Sequence, residues 1–299
     1  MKLAITGGTG FVGGHLLDLA GAAGHEVRAL TRRPQAERPG IVWIAGTLDD
    51  PAALAQMVEG ADAVIHVAGV VNAPDRAGFA QGNIEGTRAM LAAAEAAQVA
   101  RFVHVSSLAA REPSLSSYGW SKAEADKLVL ASPLSTAIVA PPAIYGPGDM
   151  EMLELFRLAA RGIALLPPGG RMSVIEVGDL ARLLLALAAT DDRLRLDPDD
   201  GRAGGWTHEE FARAIGVAVG RKVRAIALPR MVLMTAARLD RLIRGPRAKL
   251  TPDRAAYFCH TDWTADPARR PPAQLWQAQV DTPAGLAATA QWYRDSGLI

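Results

Sequence analysis

The sequence contains a single cysteine, Cys259, so no disulfide can form within the chain and a disulfide-stapled secreted fold is excluded. Histidine and cysteine show no ligand spacing such as H-x-x-x-H or C-x-x-C, and no metal site is therefore expected. The longest apolar run later in the chain, residues 180–189, contains Arg182 and is too short to cross a bilayer. The formal net charge is only +1, with both signs interspersed, which excludes the basic surface typical of nucleic-acid-binding proteins.

These absences favour a protein that acts on a small molecule. With 299 residues, of which 49% are hydrophobic, the chain can bury a large core as one domain or as a domain with a smaller lobe. We expect a cytoplasmic protein with a small-molecule substrate and without a nucleic-acid or membrane partner. A homodimer is a possible assembly.

Near its start the chain has a short apolar strand, residues 3–6, followed by Gly7, Gly10 and Gly13 in the spacing G-x-x-G-x-x-G. In such a pattern the first glycine permits a tight turn, the second lets the backbone approach a pyrophosphate, and the third lets the next helix pack near the sheet. The helix predicted over residues 11–22 would direct free N–H groups and its positive dipole end at the phosphates. A glycine-rich turn without a ligand is the alternative, but the flanking strands favour a dinucleotide.

Short β-rich runs alternate with helical segments over the first half of the chain. The predicted strands cover residues 3–6, 26–30, 41–44, 63–67, 101–106 and 136–139, and the predicted helices cover residues 11–22, 51–59, 84–97 and 118–131. Such alternation indicates an α/β protein with a doubly wound parallel Rossmann sheet. We therefore predict a dinucleotide-binding domain over residues 1–145 and a smaller C-terminal substrate lobe over residues 146–299. Residues 174–189, a strand that becomes a helix after Asp179, are expected to return to the Rossmann sheet.

Tyr118 and Lys122 stand four residues apart and would share one face of a helix. A phenol is a poor base at neutral pH, but a neighbouring cation favours the phenolate and lowers its pKa. Tyr118 could then exchange a proton with a carbonyl or alcohol oxygen while hydride moves to or from a nicotinamide. Ser106 and Ser107 end the strand before it, where a serine can polarise the carbonyl. Taken singly, each element has an ordinary structural explanation, and only their order and spacing favour catalysis.

The chain resembles the short-chain dehydrogenase/reductase superfamily, and within it the extended group often described as NAD-dependent epimerase/dehydratase. The segment Thr6-Gly7-Gly8-Thr9-Gly10-Phe11-Val12-Gly13 resembles the group's cofactor loop, and Tyr118 with Lys122 resembles its catalytic pair. By this resemblance Lys122 would also hydrogen-bond the nicotinamide ribose. The resemblance further implies that the cofactor is contacted by the residues Gly7, Gly10, Phe11, Val12, Gly13, Ala68, Gly69, Pro141 and Ile144.

The sequence departs from the group's pattern in two places. Ala140 stands where the family usually has arginine, and the segment from Glu176 to Asp179 replaces the frequent His-Val-Asp-Asp. The position of the catalytic hydroxyl is also ambiguous, since it falls on Ser106 or Ser107, and in sugar-nucleotide members on the next position, here Leu108. We favour Ser107.

The end of the second strand indicates which nicotinamide cofactor is bound. An acidic residue there would bind the 2′-hydroxyl of NAD, whereas this chain has Thr31-Arg32-Arg33. Arg32 can pair with a 2′-phosphate, so NADP is expected and NAD stays possible. Solvated loop arginines are the alternative interpretation. Leu48 would offer an apolar contact to the adenine ring.

The sequence therefore predicts an NAD(P)-dependent oxidoreductase in which Tyr118 is the acid or base, Lys122 tunes it and Ser107 orients the substrate oxygen. A sugar-nucleotide epimerase or dehydratase using bound NAD is one alternative. A non-catalytic dinucleotide-binding redox sensor or assembly protein is another, although such relatives tend to have lost the tyrosine.

A second helical pattern falls in the predicted lobe. Residues 231–244 carry apolar side chains at helical spacing, with arginines alongside, and such a helix can rest on an anionic membrane or dock a partner. A lobe helix with a solvated basic face is the simpler expectation.

Overall fold

The computed structural model describes residues 1–245, 248 and 250–299. The strands, in chain order, are β1 (Lys2–Thr6), β2 (Glu26–Thr31), β3 (Ile41–Ala45), β4 (Ala63–His66), β5 (Arg101–Val105), β6 (Ser135–Val139), β7 (Ala143–Tyr145), β8 (Ile163–Leu166), β9 (Arg171–Met172), β10 (Val174–Glu176), β11 (Leu194–Leu196), β12 (Trp206–Thr207), β13 (Arg224–Ala227) and β14 (Asp262–Trp263). The α-helices are α1 (Phe11–Ala22), α2 (Pro51–Val58), α3 (Arg76–Phe79), α4 (Gly86–Ala96), α5 (Ser117–Ala131), α6 (Leu153–Ala160), α7 (Val177–Ala188), α8 (His208–Ala218), α9 (Arg230–Arg244), α10 (Pro252–Phe258) and α11 (Thr282–Asp295).

The chain divides into two units. The first comprises Met1–Ala140, Gly178–Asp197 and Pro271–Gln277, and the second comprises Pro141–Val177, Pro198–Arg270 and Ala278–Ile299. The first segment of the first unit thus ends at Ala140, five residues before the boundary expected from the sequence. Two later segments of the chain also belong to this unit.

The first unit is built on a parallel sheet with the strand order β11-β6-β5-β4-β1-β2-β3. The order reverses between β1 and β4, the point at which doubly wound sheets bind ligands. Strands β4 and β5 are buried throughout, as expected for a sheet covered on both faces. The prediction of a doubly wound α/β fold is confirmed, and the six predicted strands match β1 to β6 to within one residue at each end.

The returning segment differs in detail from the expectation. Strand β10 pairs with β7 in the second unit, and only the helix after it belongs to the first. Helix α7 begins at Val177 and not after Asp179, so Asp179 lies inside its first turn, where it pairs with Arg182. The chain then joins the main sheet through β11, which lies parallel to β6.

The second unit holds short strand pairs and an aromatic core. Strand β7 pairs with β10, β8 pairs with β13, and β9 lies between β12 and β14. The rings of Phe156 and Tyr293 meet edge to face at 5.0 Å between centroids, and both side chains are fully buried. Within the described residues, no helix combines the length and the apolar composition that a membrane span requires.

Arg101 ties the returning segment to the sheet. It lies at the start of β5, is almost fully buried, and donates hydrogen bonds to the carbonyl oxygens of Leu187 (3.0 Å) and Asp192 (2.7 Å). The same guanidinium donates to the hydroxyl oxygens of Thr190 and Ser135. Because this one buried guanidinium holds four acceptors on the returning segment and on β6, its removal breaks four hydrogen bonds at once.

We predict that Arg101→Met lowers the free energy of unfolding by about 2–4 kcal/mol, measured by urea denaturation. Arg193→Met is the matched control. Arg193 donates to the carbonyl oxygens of Leu130, Ser132 and Leu134 but is exposed, so its loss is expected to cost about 1 kcal/mol or less. Equal losses in the two variants would contradict the anchoring role of Arg101.

Candidate active site

Glycine is required where β1 turns into α1. Gly7 has φ +73°, and a Cβ there would lie 2.8 Å from the backbone nitrogen of Ala68. A Cβ on Gly13 would lie 2.0 Å from the carbonyl oxygen of Gly7, so only glycine lets α1 start this close to the turn. The turn is closed by a hydrogen bond of 2.9 Å from Gly10 N to Gly7 O. The result is a narrow backbone cradle at the carboxyl end of β1.

The first turn of α1 has no side-chain cap. Gly10 is its N-cap residue, and the turn contains no acidic residue. The helices α2 and α5, by contrast, are capped by the side chains of Asp50 and Ser116. The N–H groups of α1 are therefore left for an external acceptor, and the helix dipole favours an anion there.

The loop after β4 lies against this cradle and against α5. Ala68 N donates to Thr6 Oγ1 at 3.1 Å. A Cβ on Gly69 would lie 2.9 Å from Asn83 Oδ1 and 3.2 Å from Lys122 Nζ, so this loop passes directly beside the lysine.

Asn83 holds that loop in place. Its Oδ1 accepts from Val70 N at 2.7 Å, and its Nδ2 donates to Val70 O at 3.0 Å and to Ser121 Oγ at 2.8 Å. Ser121 Oγ in turn donates to the carbonyl oxygen of Tyr118. Asn83 thus joins the β4 loop to the first turn of α5.

Lys122 is a buried cation. Only 5% of the residue is exposed, and Nζ donates to the carbonyl oxygen of Val105 at 2.9 Å. Burial lowers the pKa of Lys122 to about 8, although the carboxylate of Asp126 opposes the shift. Lys122 is therefore still protonated in the main at neutral pH, but is a much stronger acid than an exposed lysine.

Asp126 lies one helical turn beyond Lys122 and is itself buried. Its Oδ2 accepts from Arg195 Nη1 at 2.8 Å, and its Oδ1 lies 3.5 Å from His104 Nε2. Burial alone would raise the pKa of Asp126, but His104, Arg195 and Ser106 together lower it, so the group is a carboxylate at neutral pH.

Two buried histidines continue this polar cluster towards β1. His66 Nδ1 lies 2.8 Å from Thr6 Oγ1, its Nε2 lies 3.2 Å from Thr87 Oγ1, and its ring stacks on that of His104. Burial lowers the pKa of both histidines, and Lys122 acts in the same direction. They are neutral core side chains.

Tyr118 lies in the first turn of α5 and is half-buried. Ser116 caps that turn by accepting from Gly119 N at 2.9 Å. A Cβ on Gly119 would lie 2.6 Å from the carbonyl oxygen of Ala109, so the turn lies against the 3₁₀ helix Leu108–Arg111. The ring of Tyr118 is packed at 6.2 Å from that of Phe79.

The two candidate serines have different surroundings. Ser106 lies beside Asp126, whose pKa it helps to lower. Ser107 begins the 3₁₀ helix, and its Oγ accepts from Ala109 N at 3.2 Å. A hydroxyl that accepts from a backbone N–H can still donate to a substrate oxygen.

The remaining predicted cofactor residues are spread over both units. Arg32 follows β2 and is exposed, and its side chain makes no ion pair with a described residue. Leu48 lies against α4, which begins at Gly86. A Cβ added to Gly86 would lie only 2.6 Å from Leu48 Cδ1. Pro141 and Ile144 lie in the second unit, where Ile144 on β7 is paired with Ile175 on β10.

Sequence reasoning missed Asn83 and Asp126 as parts of the site. Asp126 carried a readable signal, because it stands at i+4 from Lys122 on the same helix. Asn83 carried none, since its partners Val70 and Ser121 are joined to it only by the fold.

Comparison with known proteins identifies relatives of this chain. The model of the NAD dependent epimerase/dehydratase family matches residues 3–196. The chain is 39% identical over 307 aligned residues to a ceramide reductase of Caulobacter vibrioides, with 99% of this chain and 96% of that protein covered. A 2-alkyl-3-oxoalkanoate reductase of Stenotrophomonas maltophilia is 33% identical over 187 residues, which cover 54% of this chain and 56% of that protein.

Solved structures share the fold at lower identity. MoeE5 in complex with UDP-glucose and NAD has a TM-score of 0.76 at 22% identity, with 99% of each chain covered. The human epimerase family protein SDR39U1 with NADPH has a TM-score of 0.76 at 21% identity, covering 97% of this chain and 99% of that one.

The buried ammonium leads to a prediction about stability. Because the pKa of Lys122 falls from 10.5 to about 8 on folding, a charged Lys122 destabilises the fold below pH 8, and this penalty is relieved as the pH rises from 8 to 10.5. We predict that Lys122→Met raises the free energy of unfolding at pH 7, by up to about 3 kcal/mol, and that the gain shrinks towards pH 10.

Urea denaturation of the cofactor-free protein at both pH values measures the difference from the wild type. Lys127→Met, an exposed lysine on the same helix, is the control and should show no such pH dependence. A Lys122→Met variant less stable than the wild type at pH 7 would refute the argument.

Proposed function

The chain belongs to the NAD dependent epimerase/dehydratase family, and from that premise we propose that it reduces a ketone carried by a long-chain lipid, using NADPH. The protein is an NAD(P)-dependent oxidoreductase of the extended short-chain dehydrogenase/reductase type. The lipid substrate rests on one observation, the similarity to a ceramide reductase, because that similarity extends over both units. A cytoplasmic location remains part of the proposal, supported by the single cysteine.

The two reductases named above indicate what kind of ketone to expect. A 2-alkyl-3-oxoalkanoate carries its ketone between two alkyl chains and next to a carbon that bears a carboxylate. The ketone form of a ceramide has a similar arrangement, with an amide in place of the carboxylate. We therefore infer a substrate in which a ketone lies close to a polar group and is flanked by long alkyl chains.

The residues that would hold the cofactor fit a dinucleotide. The cradle formed by Gly7, Gly10 and Gly13 excludes side chains, and the uncapped N–H groups of Phe11 and Val12 suit a pyrophosphate. Ala68, Gly69, Leu48, Pro141 and Ile144 are the further contacts in this proposal. When bound, a nicotinamide cofactor supplies the hydride that reduces the carbonyl carbon.

The protein's own groups would supply the proton and orient the carbonyl. Tyr118 donates its phenolic proton to the carbonyl oxygen as that oxygen gains negative charge, so a C–H and an O–H bond form and the ketone becomes an alcohol. The buried ammonium of Lys122 stabilises the resulting phenolate electrostatically. Ser107 donates a hydrogen bond to the same substrate oxygen. Ser106 is less suited to this role because it lies beside the carboxylate of Asp126.

The preference for NADPH rests on Arg32. Two other arginines in this region already form ion pairs. Arg28 Nη1 lies 3.6 Å from Glu59 Oε2, and Arg38 pairs with Asp18. Arg32 is exposed and lacks such a pairing among the described residues, so its guanidinium is available for a 2′-phosphate.

The experiment that tests the proposed reaction measures NADPH oxidation with the ketone form of a ceramide and with a 2-alkyl-3-oxoalkanoate. We expect turnover of at least one of them and no interconversion of UDP-glucose and UDP-galactose. Tyr118→Phe should lower kcat by about 100-fold or more while the Kd of NADPH is unchanged, because only proton donation is lost.

Tyr257→Phe, in the second unit, is the matched control for loss of one phenol hydroxyl. Interconversion of UDP-sugars without ketone reduction would replace the proposal by an epimerase. Cofactor binding without any turnover would indicate a non-catalytic protein.

We further predict that Arg32→Ala raises the Kd of NADPH by about tenfold or more and leaves that of NADH within about twofold, because one charge-assisted pair with the phosphate is lost. Fluorescence titration of both cofactors provides the measurement. Arg38→Ala, which removes an arginine already paired with Asp18, is the control. Equal affinity of the wild type for the two cofactors would contradict this assignment.

A further inference from the structure

Helix α9 presents its apolar face to solvent. Met231 is 81% exposed, Leu242 is 83% exposed and Ile243 is 79% exposed. At 100° per residue, these side chains fall on one broad face together with others that are also exposed, Val232, Thr235, Ala236 and Leu239. The side that faces the protein includes the fully buried Ala237. An amphipathic helix of a globular protein normally has the opposite orientation, with its apolar face towards the core.

Strands β8 and β13, which precede the helix in the chain, also expose apolar side chains. On β8 and β13, Leu165 and Ile226 are partners in the parallel register and are both exposed, as is Ile163. The segment from β13 to the end of α9 therefore exposes several large apolar side chains in succession. Scattered apolar residues on a surface are ordinary, but the continuous apolar face along α9 marks a binding surface.

The charge around this face is positive. Counted at 100° per residue, Arg238 borders the apolar face, whereas Arg230, Arg241 and Arg244 lie on the opposite, polar side of α9. All four are exposed, as is Arg224 on β13. The carboxylate in this stretch, Asp240, accepts a hydrogen bond of 2.9 Å from Leu250 N and lies 3.2 Å from Arg244. Asp240 is therefore already neutralised, and the outward charge is that of the arginines.

We propose that α9 lies in the headgroup region of an anionic lipid bilayer, with the face around Leu242 and Ile243 inserted and the arginines on the lipid phosphates. A helix with an exposed apolar face on one side and arginines on and beside its polar side is the kind that lies in the plane of a charged bilayer surface. A second copy of the chain is a poorer occupant, because pairing two such faces would bring two positively charged helices together.

The bilayer also gives the proposed function its substrate supply. A ketone with two long alkyl chains resides in membranes, so a reductase held at the surface has direct access to it. Only this consequence rests on the proposed function. Vesicle binding is measured without substrate or cofactor, so its failure would leave the proposed reaction untouched, and failure of the reaction would leave the binding untouched.

The test is co-sedimentation of the full chain with vesicles of phosphatidylcholine alone or with about 30% phosphatidylglycerol, at about 0.15 M salt. We expect binding to the anionic vesicles at least about tenfold stronger than to the neutral ones. Leu242→Glu with Ile243→Glu should abolish it. Replacing Arg238, Arg241 and Arg244 by glutamine should weaken binding to anionic vesicles by about 100-fold, since each arginine near the surface contributes about tenfold or less.

Val217→Glu is the matched control, because Val217 is an exposed apolar residue on α8, outside the proposed surface. All variants should match the wild type in circular-dichroism spectrum and in urea unfolding, which shows that they are folded. Equal binding of the double glutamate variant and the wild type overturns the proposal. A second result would also overturn it. In that case the wild type binds no vesicles but self-associates in light scattering, and the double glutamate variant does not self-associate.

Discussion

Keeping the ammonium of Lys122 charged inside the protein is the constraint on which the catalytic geometry depends. Removing this cation from water is unfavourable, and the structure offsets the cost with the carbonyl oxygen of Val105 and the carboxylate of Asp126. That carboxylate is in turn balanced by Arg195, which lies on β11. The strand that completes the sheet therefore also contributes to the electrostatics of α5. The site and the edge of the sheet are coupled through one chain of charges.

The sequence revealed the parts of this arrangement that are local. Buried parallel strands are near-continuous apolar runs, so β1 to β6 were recognisable, and the glycine spacing and the Tyr118–Lys122 pair each lie within a few residues. The contacts that orient them join distant residues, as in the hydrogen bond from Asn83 to Ser121, 38 positions apart, or from Arg195 to Asp126, 69 positions apart. The periodicity of apolar residues along the chain does not indicate which distant residues form such hydrogen bonds.

The second unit was predictable only as a set of turns, helices and isolated strands. Strands such as β9, β12 and β14 are two residues long, too short for an alternation of apolar and polar side chains to show. The π-helical stretch Ala80–Glu85, which leads into α4 in the first unit, was equally hidden, because a π-helix and an α-helix place apolar residues at similar intervals. Helix α9 was recognised by its periodicity, but periodicity does not tell which face turns to solvent.

The discontinuous build of the first unit has a consequence for its folding during synthesis. A ribosome releases the six strands β1 to β6 before residues 178–197 emerge, so β6 is at first an unprotected edge, and β11 covers it only later. Over that interval Arg101 lacks the acceptors at Leu187, Thr190 and Asp192. The nascent chain therefore passes through a stage in which β6 is free to pair with another strand and Arg101 is not yet held by the returning segment. A chaperone that binds exposed strands would act at this stage.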